Sequence, residues 1–364
     1  MYGLPHDQWK EISLNKRLIA QASRCLPDGP RLKFFGLPSG VVSVANAGST
    51  VEALERRGEE GLYRVPRGWV WARGALLDAQ TRIVDEISPG VNRPPAWWVV
   101  RQQVFFPRIV DCPGMIFSMI GDGSNNLYHW TFDLLPHLRM LDPARRGQVR
   151  VLVRLQHSFH RASLEAAGFP PASIISAEPR TLYRTEELLA ASIVKGVTPD
   201  NVACVREIYL KAAGTLPAAE TPVRLYISRA KASSRKIVNE AEIEEGLRRR
   251  CFQIAFFEEL SLAEQVALVS QAEIIVSAHG AAWTLAVVAR SGTPVIEILP
   301  AELEREAPSS YYMYRNLSRK AGLNYRAHHG EAVLHKSGPQ RAHQSDIRVS
   351  AAQLLGEIDD CLKG

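Results

Sequence analysis

Apolar and polar positions fall into two regimes along this chain. From residue 224 onward, short continuous apolar runs alternate with stretches of helical period. RLYISR (224–229), part of QIAFFEEL (253–260), EIIVSAHG (273–280) and PVIEILP (294–300) read as buried strands. The helices expected between them are 239–250, 261–271 and AAWTLAVVARSG (281–292), the last closed by Gly292. Asn239 with Glu242, and Ser261 with Glu264, have the spacing of capping boxes. Such a β-α-β-α-β-α-β series predicts a parallel sheet with helices on both faces. Before residue 224 the pattern is less regular. VVSVANA, GWVWARGALLD and PAWWVVRQQVFF are clusters of β-branched and aromatic residues separated by Gly and Pro, and read as strands. A short helix is expected near 7–25. QVRVLVRL (148–155) reads as a strand and HRASLEAAGF (160–169) as a helix ended by Gly168.

The segment GTLPAAETPV (214–223), rich in Pro, Ala and Thr, is the expected linker. It divides an N-terminal domain, 1–213, with a strand-rich start followed by α/β structure, from a Rossmann-like domain, 224–345. The amphipathic run SAAQLLGEIDDCLK (350–363) predicts a terminal helix, with 346–364 packing back on the N-terminal domain.

GDGSNNLYHWTFDLLPHLRML (121–141) does not fit a simple pattern. Leu127, Trp130, Leu134, Leu138 and Leu141 form an inward stripe at helical spacing. Asn125, His129, Asp133 and His137 follow at intervals of four on a neighbouring face, and Pro136 should kink the helix. A His and an Asp one turn apart can share a hydrogen bond and take a proton from a hydroxyl group. The same pair can equally be a structural one at a helix edge.

Composition narrows the ligand class. The 364 residues are 46% hydrophobic and 23% charged, as in globular proteins, and could form two domains. Five scattered cysteines, without a CxxC pair, suggest neither a zinc site nor a disulfide scaffold. His157 and His160 lack an evident third ligand, so no metal is expected. No apolar run is long enough to span a bilayer and no signal peptide is evident, so a cytoplasmic location is expected. A formal charge of +6 and a pI near 9.1 suit an anionic ligand, and are too mild for nucleic acid.

In an open α/β sheet, ligands bind beyond the carboxyl ends of the strands. Arg229, Lys231, Arg235 and Lys236 follow the first C-terminal strand. Leading into a helix N-terminus, they could hold a diphosphate, or form a solvated basic loop. His279, Gly280 and Ala281 follow the third strand, where small residues let a ligand approach the backbone. Glu297, inside an apolar strand, needs a partner: a ribose hydroxyl or an internal cation.

In their order, NLYHWTFDLLPHL, LYISRAKASSRKIVNEAEI, FEELSLAEQVALVSQAEIIVSAHGAAWTLAVVARSGTPVIEILP and YYMYRNLSRKAGLNY resemble glycosyltransferase family 61. The resemblance covers about 121–325 and looks like the bacterial, surface-polysaccharide kind. It implies a GT-B fold, two Rossmann-like domains facing a cleft, with inversion at the anomeric carbon and no catalytic metal. It also implies a nucleotide-sugar donor, such as a UDP-sugar, on the C-terminal domain and a glycan or lipid-linked glycan acceptor on the other. Capsule or related polysaccharide biosynthesis at the inner membrane face would be the setting. Asp133 matches the family's carboxylate four residues after a histidine, and is the expected base with His129 beside it; on basicity alone His129 is the alternative. Arg229, Arg235, Lys236, His279, Gly280, Ala281 and Glu297 would bind the donor. The chain departs from the family's HGAGLTN pattern at Ala282 and Leu285. A non-catalytic nucleotide-sugar-binding protein and a GT-B-like epimerase are the rival readings.

Overall fold

The computed structural model describes residues 41–71, 74–88, 108–121, 123–192, 196–214, 223–333 and 344–363. The expected helix near 7–25, the strand in PAWWVVRQQVFF and nearly all of the 214–223 linker lie outside them. The protein is a mixed α/β structure in two compact units.

The first unit comprises 1–123, 145–154 and 173–193. Its strands are β1 (Val41–Val42), β2 (Glu52–Arg57), β3 (Glu60–Pro66), β4 (Trp69–Trp71), β5 (Leu76–Leu77), β6 (Ile83–Val84), β7 (Arg108–Ser118), β8 (Arg150–Val153), β9 (Ile174–Ser176) and β10 (Thr181–Ser192). They form one mixed sheet in the order β1-β6-β5-β4-β10-β7-β8-β9. The long β10 is its axis, parallel to β7 on one side and antiparallel to β3 and β4 on the other. VVSVANA gives only the two-residue β1, and its next residues form a 3-10 turn, Val44–Asn46.

The second unit comprises 124–144, 155–172 and 194–364. Its sheet contains β11 (Val223–Ile227), β12 (Phe252–Ala255), β13 (Ala272–Ala278), β14 (Pro294–Pro300), β15 (Asn324–Val333) and β16 (Asp346–Arg348). The order is β12-β11-β13-β14-β15-β16, parallel except for β16. Counted from β11, the parallel strands run 2-1-3-4-5, a doubly wound order whose direction reverses between β11 and β13.

Both faces are covered, as the unbroken apolar runs require. The helices are α1 (Leu127–His129), α2 (Ser158–Ala166), α3 (Pro199–Ala213), α4 (Glu240–Arg248), α5 (Leu262–Gln271), α6 (Leu303–Glu306), α7 (Pro308–Ala321) and α8 (Ala351–Lys363). Ile274, Val276, Ile296 and Ile298 face α4 and α8, packing on Ile243, Leu247, Leu354 and Ile358. Strand alternation sends Glu297 to the opposite face. The Ser261–Glu264 capping box forms as expected. Asn239 precedes α4 but makes no cap; its amide instead exchanges hydrogen bonds with the Val349 backbone.

Two expected boundaries are corrected. Residues 124–144, 155–172 and 196–213 belong with the C-terminal sheet. Here α3 packs on α5, so helix faces that need cover override the change in composition after residue 213. The terminal helix α8 packs on α4, in the core of the second unit.

Candidate functional site

At the reversal point β11 ends in Ile227 and β13 in Ala278, and the chains leaving them carry the expected residues. Ser228 is buried and donates to Glu240 Oε1 at 2.8 Å; the Tyr226 hydroxyl donates to the same oxygen, also at 2.8 Å. That fixes the first turn after the strand. Arg229 comes next, and its Nη2 donates to the Ser234 carbonyl at 3.0 Å. Its Nε is buried without a partner, and so is the Nε of Arg235. Among the described residues neither arginine pairs with a carboxylate. Burial first, then the neighbouring Arg235, pulls the Arg229 guanidinium down to about 10. Burial likewise lowers Arg235. Arg235 also has a φ of 61°, a left-handed conformation costing a non-glycine residue about 1–2 kcal/mol.

Gly280 is needed by this arrangement. Its φ of 173° is ordinary extended backbone, but a Cβ there would stand 2.1 Å from Arg229 Nη1. The following helix, Ala281–Val288, is of 3-10 type, and its first turn closes with Trp283 N–H on the Gly280 carbonyl at 3.1 Å. The amides of Ala281 and Ala282 therefore have no acceptor inside the helix. Leu285 is fully buried, so its departure from the HGAGLTN pattern falls in the core.

His279 and Glu297 form a buried pair, Nδ1 to Oε1 at 2.5 Å. The other Glu297 oxygen accepts from the Tyr325 hydroxyl at 2.7 Å. Both Glu297 oxygens are thus engaged by internal partners, and the side chain has no exposed surface. It orients the His279 ring. Lys236 is tied by its backbone to Asp346 and Ile347. Lys231 pairs with Glu259 and rests 4.5 Å over the Phe256 ring.

The segment 127–140 brings the second group of residues. It starts as α1, capped by Asn126, whose side chain accepts from Tyr128 N–H at 2.9 Å. It widens into a π-helix, Trp130–Leu134, and tightens into a 3-10 helix, Leu135–Met140, with Pro136 in its first turn. Changes of helix type of this kind are frequent at functional sites. Trp130 is fully buried and its indole N–H donates to Ser163 Oγ at 3.0 Å. Thr131 Oγ1 lies 2.5 Å from the Tyr209 hydroxyl. Between these anchors His129 Nδ1 and Asp133 Oδ2 meet at 2.7 Å, with side chains 46% and 24% exposed. His137 is buried, because the change of helical period removes it from the row expected at spacing four. His160 is also buried, bonded to the Ser124 carbonyl and edge-on to Trp130. Among the described residues no three His, Cys, Asp or Glu side chains cluster to hold a metal ion.

Aromatic rings join the two groups. Tyr128 meets Tyr314 edge-on at 6.0 Å, and Tyr314 lies 5.2 Å from the His279 ring. Tyr314 is buried within electrostatic range of both arginines. Nothing in the sequence pattern distinguished Tyr314 from a core position of α7, and Tyr128 read as part of a helix. Residues 127–296 match the family model for glycosyltransferase 61. No curated protein matches the chain.

Proposed function

With that family match as the premise, we propose that this protein is a glycosyltransferase that moves a sugar from a nucleoside-diphosphate donor to a hydroxyl group. The observation that carries the reading is the half-buried arginine pair, its Nε atoms buried and without a carboxylate partner among the described residues, at the reversal point of the sheet. Two desolvated guanidiniums beside unbonded first-turn amides suit a diphosphate. The second unit is the donor-binding half of a GT-B-like scaffold.

Reaction proceeds by a single inverting displacement. Oδ2 of Asp133 is held by His129, and among the described residues Oδ1 has no partner. Oδ1 takes the proton of the acceptor hydroxyl. The acceptor oxygen forms a bond to the anomeric carbon as the bond from that carbon to the diphosphate oxygen breaks. The electron pair leaves with the nucleoside diphosphate. Arg229 and Arg235 stabilise its growing charge, as a metal does in other transferases. A UDP-sugar is the proposed donor. A glycan or lipid-linked glycan, in bacterial surface-polysaccharide or capsule synthesis at the inner membrane face, is the proposed acceptor. Glu297 acts indirectly, by holding His279.

Thermal unfolding against UDP-, GDP-, CMP- and dTDP-sugars, with and without EDTA, tests the reading. Saturation at a hundredfold the Kd adds about 2.7 kcal/mol of stability. A shift with one nucleotide, unaffected by EDTA, is expected; no shift with any would sink the donor site. Asp133→Asn should cut transfer by about 10²–10⁴-fold and leave nucleotide binding intact. Interconversion of the nucleotide sugar without an acceptor would point to an epimerase.

A further inference from the structure

In the proposed transfer the sugar lies between Asp133 and the arginine pair. Tyr128 occupies the corresponding place among the side chains. Its ring meets His129 edge-on at 5.7 Å, Phe132 at 5.3 Å and Tyr314 at 6.0 Å. Tyr314 in turn reaches the His279 ring and both arginines. Tyr128 therefore links the base to the anion site through one intervening ring.

Two further observations point to a ligand. The Tyr128 hydroxyl has no hydrogen-bond partner among the described residues, although a phenol placed among other rings usually finds one. Burial first, then the Asp133 carboxylate, pushes this phenol up to about 12, so it stays a neutral donor. A half-buried ring with a protonated hydroxyl suits a sugar, which offers C–H groups to the ring and hydroxyls to its tip.

We propose that Tyr128 positions the transferred sugar, its hydroxyl bonding a sugar hydroxyl between Asp133 and the arginine pair. The inference rests on the transferase reading. The residue would act on the sugar and not on the nucleotide.

Calorimetric titration of the full chain and its Tyr128→Phe variant separates the two. UDP-glucose, UDP-N-acetylglucosamine, UDP-xylose and GDP-mannose would be compared with free UDP and GDP. Phenylalanine keeps the ring contacts, so the unfolding midpoint should hold. The preferred nucleotide sugar should bind roughly tenfold more weakly, and the free nucleotide within about twofold of wild type. Equal weakening of both would assign Tyr128 to nucleotide binding or packing, and no weakening would remove it from the sugar site; either overturns the inference. Arg229→Gln is the control for the underlying reading. If it leaves nucleotide affinity intact, or if wild type binds no nucleotide, the donor site fails and the inference with it. If it abolishes nucleotide binding while Tyr128→Phe changes nothing, the inference alone fails.

Discussion

At the residue scale, the arginine pair opposes stability and favours binding. Two guanidiniums share a half-buried site with no ion-pair partner among the described residues, and both are shifted downward. Arg229→Met should raise the stability of the ligand-free protein by about 1 kcal/mol, since a half-buried charge without an ion-pair partner is replaced by an apolar chain of similar length. The same variant should lose nucleotide binding, and chemical denaturation with calorimetry reads both effects. The pH dependence has a definite sign. Arg229 sits at about 10 in the folded protein, below its ordinary value. Nucleotide affinity should therefore change little through pH 7–9 from this group and fall above about pH 10, where the free protein gives up the proton that the diphosphate needs. Stability of the ligand-free fold runs the other way. The penalty is full below the folded value and eases above about 10, where the unfolded chain binds more protons. Titrations from pH 8 to 10.5 test the affinity limb. The cations were legible because they cluster after a strand. Which of them turn inward was not, because that choice depends on Glu259 and Phe256 capturing Lys231 and on Gly280 leaving room for Arg229.

At the scale of elements, strand cores and one capping box followed directly from the pattern. The 127–140 segment did not. Its apolar stripe was readable, and Trp130, Leu134, Leu138 and Leu141 are indeed buried. Its helix type was not, since a π-turn has no sequence period of its own and here depends on partners distant in sequence, Ser163 and Tyr209. Ser163→Ala would leave the buried Trp130 indole N–H without an acceptor. The expected cost is about 1–3 kcal/mol. Urea denaturation measures that loss, and a fall in transfer larger than the fall in folded fraction would show that the His129–Asp133 geometry depends on this anchor. Glu297 illustrates a different limit. An acid inside an apolar strand announces a buried partner, but a periodicity argument cannot choose between a bound sugar and His279 with Tyr325.

At the scale of the whole molecule, composition misplaced the division of the chain. The run after residue 213 has the texture of a linker, yet α3 and the 127–140 segment belong to the unit beyond it. The terminal helix α8 lies in that unit's core, against Ile243 and Leu247. Deleting 351–364 should uncover this face, unfold the second unit and abolish nucleotide binding. Hydrogen exchange with and without nucleotide reads the outcome, and a truncated chain that still shows ligand protection near Arg229 would contradict it.

The His129–Asp133 pair and the arginines are built into one unit. Under the transfer mechanism, the proton acceptor and the cradle for the departing group are assembled when that unit folds. Water competes with the acceptor hydroxyl as a nucleophile at such a site. Fidelity then becomes a race between acceptor capture and hydrolysis of the loaded donor. Selection for productive transfer would act on how the site is kept dry while it waits.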